Sequence, residues 1–222
     1  MSTIFAHWGQ ETGKRDANAG EFWTQALYYV REIAKNDYKS WNWSNDAWPN
    51  QAGVQYYGRG PMQLSWNYNY GQFSNIFATS TYNGKMELLK DPDRVAREGY
   101  VAMAAGLWFF MTPQDPKPSM HDVVIGNYKP NAKDLAKNFK ASFATTINII
   151  NGGLECGIPG NDKVLKRGQY YLKWLNFFNL PAEQDLDCAV QPNAFPAGGS
   201  GDVSMYFQKD SGNKCKLVTW MT

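Results

Sequence analysis

Between residues 91 and 179 the chain holds three segments in which apolar residues recur every three or four positions, and this periodicity predicts a mainly α-helical protein. Residues 161–179 turn Val164, Leu165, Tyr171, Leu172, Leu175 and Phe178 inward, and residues 141–151 form a helix stopped by Gly152-Gly153. Another helix begins near Asp91-Pro92, with an Asp cap and a proline in its first turn, and runs through Val95, Ala102, Ala105, Leu107 and Phe109 to Pro113. Its nearly all-round apolarity predicts burial. In the first half, residues 21–35 read as a helix with Phe22, Trp23, Ala26, Leu27, Val30, Ile33 and Ala34 on one side. Glu21, Gln25, Tyr28 and Glu32 lie on the other. Strand signals are sparse, at 54–57 and 63–64. Residues 36–55 are rich in Asn, Trp and Gly without a period, an excursion suited to the wall of a cleft. The stretch after Pro181, with its Gly-Gly-Ser-Gly run, reads as a loosely packed extension.

With 222 residues, the chain can bury a sizeable core as one folding unit without metals. Its net charge of +2 comes from scattered Lys and Arg, with no continuous basic stripe to track a phosphate backbone, so nucleic acid is not an expected partner. No run reaches the ~18 apolar residues of a membrane helix, and the first five residues lack the pattern of a secretion signal. Cys156, Cys188 and Cys215 allow one disulfide and leave one thiol over. With only His7 and His121 besides, and no zinc-type spacing, neither a metal site nor a cofactor is expected.

Aromatic residues make up 15% of the chain, and many stand beside Asn, Gln, Ser and Gly, as in Trp41-Asn42-Trp43-Ser44 and Ser65-Trp66-Asn67-Tyr68. Such stretches suit a neutral, hydroxyl-rich ligand: a flat ring covers the C–H face of a sugar while amides and hydroxyls bond its rim.

The most informative segment is Tyr56-Tyr57-Gly58-Arg59-Gly60-Pro61-Met62-Gln63-Leu64-Ser65-Trp66-Asn67-Tyr68-Asn69-Tyr70-Gly71, where glycines permit close backbone approach and a run of neutral hydrogen-bonding side chains follows. It resembles the signature of family 19 glycoside hydrolases, the plant-type and bacterial chitinases. Three further stretches extend the resemblance in order from about residue 5 to 190. They are Phe5-Ala6-His7-Trp8-Gly9-Gln10-Glu11-Thr12-Gly13, the segment from Leu107 to Gln114 with Pro116-Lys117-Pro118-Ser119, and the segment from Asn148 to Gly157.

The resemblance implies a bilobed, lysozyme-like α-helical fold with a minor β-hairpin, and a cleft that binds chitin or chitooligosaccharide. It places an acid glutamate at Glu11. The closest resemblance is to members reading Leu-Tyr-Tyr-x-Arg-Glu, which puts the base at Glu32. Inverting hydrolysis requires a protonated carboxyl for the leaving oxygen and an ionised one that activates water, about 6.5–9.5 Å apart. The resemblance further implies that Ser65 helps hold the attacking water and that Gln63, Tyr68 and Asn69 contact sugar. Lys117 and Asn151 match positions that bind the acetamido sugar, and Arg167 matches an arginine that bonds the base glutamate, where it would hold Glu32 ionised. Arg59 has the look of a brace for loop carbonyls. The family pairing implies a Cys156–Cys188 disulfide, with Cys215 unpaired or bridged to Cys188 instead.

Lys14-Arg15 replaces the small residues that often follow Glu-Thr, the plant cysteines after residue 36 are missing, and only ten residues precede Glu11, so an upstream helix is expected to be missing or shortened. The expected organisation is a catalytic domain at 1–190 and an extension at 191–222, acting as a secreted monomer. Two other readings remain open: a catalytically silent chitin-binding protein on the same fold, and an endolysin-like muramidase acting on peptidoglycan.

Overall fold

The longest helix starts where a side chain can cap it. Asn161 Oδ1 accepts from the backbone N–H groups of Lys163 and Val164, satisfying donors that the first turn of α8 (Asp162–Phe177) would leave orphaned. α8 buries Val164, Tyr171 and Leu175 against α1 (Ser2–Thr12) and α7 (Phe143–Glu155), in a core that also holds Ala6, Phe143 and Ile147. Each fully buried aliphatic or aromatic side chain stabilises this assembly by about 1.5–3 kcal/mol relative to exposure. Leu165 and Phe178 belong to the predicted inward stripe but are 47% and 38% exposed, because among the described residues α8 packs one side on α1, α7 and the segment Phe22–Thr24 and shows the rest of its circumference to solvent.

In this computed structural model the described residues are 1–33, 42, 46–80, 87–200 and the strand residues 205–207 and 215–217. A second core gathers Tyr56, Leu64, Tyr70, Phe73, Leu88, Val95, Val101, Ala105 and Trp108 from α2 (Asn67–Ser80), α3 (Arg94–Arg97), α4 (Gly99–Met111), the loop before α2 and the turn before α3. A third joins Ile4 and Trp8 of α1 to Met62, Phe110, Met120, Val123, Ile149 and Phe195, drawing in α5 (Met120–Val124) and α7. α6 (Ala132–Leu135) opens on a capping box between Asn131 and Asp134. The result is a mainly helical, two-lobed, lysozyme-like fold whose lobes meet over the third core. Among the described residues no helix is long and apolar enough to cross a membrane.

Several expectations are corrected. Residues 21–33 do not form a helix, and 34–35 lie outside the described residues: Phe22–Thr24 makes a 3-10 turn, Leu27 sits at φ 67, and the N–H groups of Tyr28 and Tyr29 both bond Thr12 O. Val30, Arg31 and Glu32 then pair outward with residues 58–60 instead of closing helical turns on their own segment. The helix expected from Asp91 to Pro113 is broken at Glu98, whose extended backbone separates α3 from α4. α4 is not buried all round, since Tyr100, Met103, Leu107 and Met111 line an exposed side. α7 does not stop at Gly152-Gly153 but kinks at Asn151 (φ −146, ψ 31) and continues to Glu155. The strand signal at 54–57 yields no strand, and that at 63–64 only an isolated bridge, Leu64 to Arg59. The described strands are β1 (Met205–Phe207) and β2 (Cys215–Leu217), an antiparallel hairpin in the tail.

The tail up to residue 200 is not loose. Phe195 stacks on Phe139 with ring centroids 4.2 Å apart, and the Ser200 N–H and hydroxyl both donate to Asp134, each at 2.7 Å. Of the predicted cleft wall at 36–55, residues 36–41 and 43–45 lie outside the described residues. In the described part Trp48 is buried in its lobe, and its ring occupies the space a side chain on Gly71 would need.

Cys156 and Cys188 form a disulfide, so Cys188 is not available to Cys215. The bridge spans 32 residues of sequence, a loop for which the chain-entropy model gives about 3–4 kcal/mol. The double change Cys156→Ala/Cys188→Ala should lower unfolding free energy by that amount, read from urea denaturation. A loss below ~1 kcal/mol would show that strain or residual denatured-state structure cancels the entropic gain.

Candidate active site

A cleft of about 570 Å³ lies between the lobes, and every residue that the sequence assigned to catalysis or sugar binding lines it: Glu11, Glu32, Gln63, Ser65, Tyr68, Asn69, Lys117, Asn151 and Arg167. These nine come from α1, the 29–33 and 58–66 loops, α2, the loop before α5, α7 and α8.

Glu11 occupies the last turn of α1. The closeness of α1 to α8 depends on Gly9, where a Cβ would stand 3.1 Å from the Tyr170 ring. The Glu11 carboxylate, 19% exposed, accepts from Arg167 Nη2. Arg167 is 1% exposed and is held from three sides. Nε donates to Glu155 Oε2 at 2.8 Å, Nη2 to Glu155 Oε1 at 2.9 Å as well as to Glu11, and Nη1 meets His7 Nδ1 at 3.2 Å. Burial alone would disfavour the guanidinium charge, but Glu11 and then Glu155 outweigh it and raise the Arg167 pKa. Burial likewise pushes Glu155 up, yet the hydrogen bonds and charge of Arg167, helped by Asn151, hold its carboxyl below the ordinary value of 4.5. The kink of α7 serves this arrangement, because Asn151 Nδ2 donates to Glu155 Oε1 at 2.7 Å.

The sequence-based expectation that Arg167 bonds the base glutamate is therefore corrected. Its carboxylate partners are Glu11 and Glu155, which descend from α1 and α7 onto α8, whereas Glu32 reaches the cleft on a separate loop.

Glu32 is positioned by backbone pairing: its N–H donates to Gly58 O and the Gly60 N–H to Val30 O, both at 2.9 Å. Its carboxylate accepts from the Ile33 N–H at 2.9 Å. Arg59 fastens this loop. It donates to Asp93 at 2.6 Å and to the carbonyls of Gln55 and Tyr57 at 2.9 and 3.1 Å, and its guanidinium lies 3.6 Å from the Tyr57 ring centroid. Arg31, beside Glu32, is also drawn to Asp93, at 3.6 Å. Gly58 leaves the space that Gln63 occupies, since a Cβ there would stand 2.6 Å from Gln63 Oε1 and 3.1 Å from its Cβ.

The remaining residues divide by what they already hold. Ser65 Oγ donates to Gln63 O at 2.9 Å, and Gln63 Nε2 reaches Gly60 O and Tyr29 O at 3.0 and 3.3 Å. Asn69, 4% exposed, engages both ends of its amide, donating to Ser65 O and accepting from Gln114 Nε2. Tyr68 is half-buried and stacks against Trp66, which also lines the cleft. Lys117 Nζ donates to Ile149 O at 3.0 Å. Among the described residues no group of three or more potential metal-ligating side chains comes together.

Sequence reasoning missed Glu155, His7 and Gln114 as parts of this network, and Arg15 as cleft lining. For Glu155 a signal was available: it stands four residues after Asn151, in a segment otherwise too apolar to leave a glutamate unpaired. Nothing in the sequence distinguishes His7 from an ordinary core histidine.

A two-lobed helical body with three carboxylates, neutral amides and an aromatic pair along one open cleft defines a lysozyme-like glycosidase architecture. The chain belongs to glycoside hydrolase family 19: the model of that family, described as class I chitinase, matches residues 1–188. Endochitinase 1 of Theobroma cacao is 40% identical over 169 residues, covering 76% of this chain and 50% of that protein. Inactive chitinase-like protein 1 of Hevea brasiliensis is also 40% identical, over 163 residues, covering 73% and 49%. The crystal structure of chitinase C from Streptomyces griseus superposes with a TM-score of 0.63 at 26% identity, covering 84% of this chain and 75% of that one. The chain spans about half the length of the curated relatives it matches.

Proposed function

We propose that this chain is a chitinase that hydrolyses β-1,4-linked N-acetylglucosamine polymers by a single inverting displacement, with Glu11 as general acid and Glu32 as general base. The observation that carries the reading is the convergence of two carboxylates from unrelated segments on one cleft that also carries sugar-type hydrogen-bonding and aromatic groups.

The network on Arg167 fits the acid role. One guanidinium serves two carboxylates, and the fully buried Glu155 takes two of its N–H groups and remains ionised. Glu11 keeps a single contact and faces the cleft, so it can carry a proton without leaving a buried charge unpaired. Glu32 stands apart from that cation on a braced loop, where it can accept the proton of a water held beside Ser65. Tyr68, Gln63 and Lys117 would contact the sugars. Asn69 would act mainly by fixing Ser65 and Gln114, and Asn151 by fixing Glu155. Residues 1–190 form the proposed catalytic unit and 191–222 its extension. The extension is strapped down as far as Ser200, and the proposed setting is a secreted monomer.

Proton NMR of chitin hexamer during hydrolysis provides the test. The first products should carry α-anomers at the new reducing end, and initial β-anomer would overturn single displacement. The relative named inactive has comparable identity, so a silent chitin-binding protein is a definite alternative. Binding of hexamer without turnover would establish it, and faster cleavage of peptidoglycan than of chitin would establish the muramidase reading.

A further inference from the structure

His7 lies at the bottom of the site, one helical turn before Glu11 on α1, and is fully buried without lining the cleft. Its Nε2 is 3.0 Å from Thr146 Oγ1, and Thr146 donates its one hydroxyl hydrogen to Phe143 O at 2.7 Å. The Thr146 oxygen is then an acceptor, which places the imidazole hydrogen on Nε2 and leaves a lone pair on Nδ1 for Arg167 Nη1. Burial, and secondarily the Arg167 charge, hold His7 well below its ordinary pKa, which favours the neutral imidazole that can accept at Nδ1. Its ring lies nearly parallel to Phe143, with centroids 5.2 Å apart, which fixes the direction of that lone pair.

We propose that His7 is a positioning residue that holds the Nη1 edge of Arg167 away from Glu11, so that the acid receives one N–H and not two. The proposal rests on the reading of Glu11 as general acid. Without the acceptor, Nη1 would be an orphaned donor in a site that is 1% exposed. The nearest way to satisfy it is a rotation that presents both Nη1 and Nη2 to Glu11. A bidentate guanidinium–carboxylate pair favours the ionised carboxylate more strongly than a single contact. Glu11 would then surrender its proton at lower pH, and turnover would fail earlier on the alkaline side.

His7→Phe keeps the ring on Phe143 and removes both hydrogen bonds. The alkaline limb of the kcat/KM–pH profile on chitin hexamer should move down by about one pH unit. KM should stay within twofold, because His7 does not touch the cleft. His7→Asn, whose carbonyl can accept from Nη1, should return the limb toward that of the wild type. The other groups facing Glu11 are unchanged in these variants: Arg15 and Glu32 from the loops, Lys117, Glu155 of α7, and Lys163 and Arg167 of α8. The same holds for Arg31, tied to Asp93, and for the phenols of Tyr29 and Tyr68. Thr146→Val removes the group that fixes the tautomer and should shift the limb in the same direction, which keeps the test available if His7→Phe does not fold. An unmoved limb in the folded variants, with only a proportional loss of kcat, would show a merely structural histidine and overturn the proposal. Glu11→Gln measured alongside separates the causes. If it stays active, the acid assignment has failed; if it is inactive while the limbs do not move, only the role of His7 has failed.

Discussion

Glu11→Gln should lower turnover of chitin hexamer by about 10²–10⁴-fold, the range that a positioned general acid contributes, while leaving hexamer binding within a few-fold of wild type. The substitution is nearly isosteric, and the amide oxygen can still accept from Arg167 Nη2, so the buried cation keeps its contacts to Glu155, His7 and residue 11. What is lost is the transferable proton. The glycosidic oxygen must then leave as an alkoxide, which raises the barrier without altering the ground-state contacts made by Tyr68, Gln63 or Lys117. Steady-state kinetics on the hexamer, with calorimetry for binding, separate these effects. Near wild-type turnover would remove Glu11 from the acid role, and a large loss of binding with little loss of kcat would recast it as a substrate contact.

The membership of the cleft was legible in the sequence while its wiring was not. Each of the nine residues named from local motifs lines the cleft, because motif residues are tied to their neighbours by turns and close approaches that the sequence spells out locally, as at Gly58 and Gln63. The partner of Arg167 depends instead on how α1, α7 and α8 pack, through contacts separated by 156 and 12 positions, and no local pattern encodes that. The helix predicted for 21–35 failed for a related reason. Its apolar spacing was helical, but Thr12 O and the 58–60 backbone offered the same residues hydrogen-bond partners at long range, and tertiary pairing prevailed over local periodicity. α8 succeeded because its start is capped by its own side chain and its stripe meets two helices along its length.

The wiring makes a second large effect predictable, this time on stability. Arg167→Met removes the one cation shared by Glu11 and Glu155, and leaves Glu155 fully buried with only Asn151 still donating to it. Breaking a buried pair from one side typically costs about 3–5 kcal/mol, because the remaining charge is uncompensated. In the wild type, the depressed Glu155 titration means that its ionised form contributes stability above the ordinary glutamate range, and that this contribution is lost as pH falls through the lowered value. In Arg167→Met the sign reverses: burial without a cation favours the protonated acid, so the variant is penalised at neutral pH and relieved on acidification. Urea unfolding of the two proteins should therefore show a gap of about 3–5 kcal/mol at pH 7 that narrows toward pH 4. Adding Glu155→Gln to Arg167→Met should recover part of the pH 7 loss and flatten the pH dependence. A gap independent of pH would mean that the cost lies in lost packing around Arg167 and not in the unpaired charge.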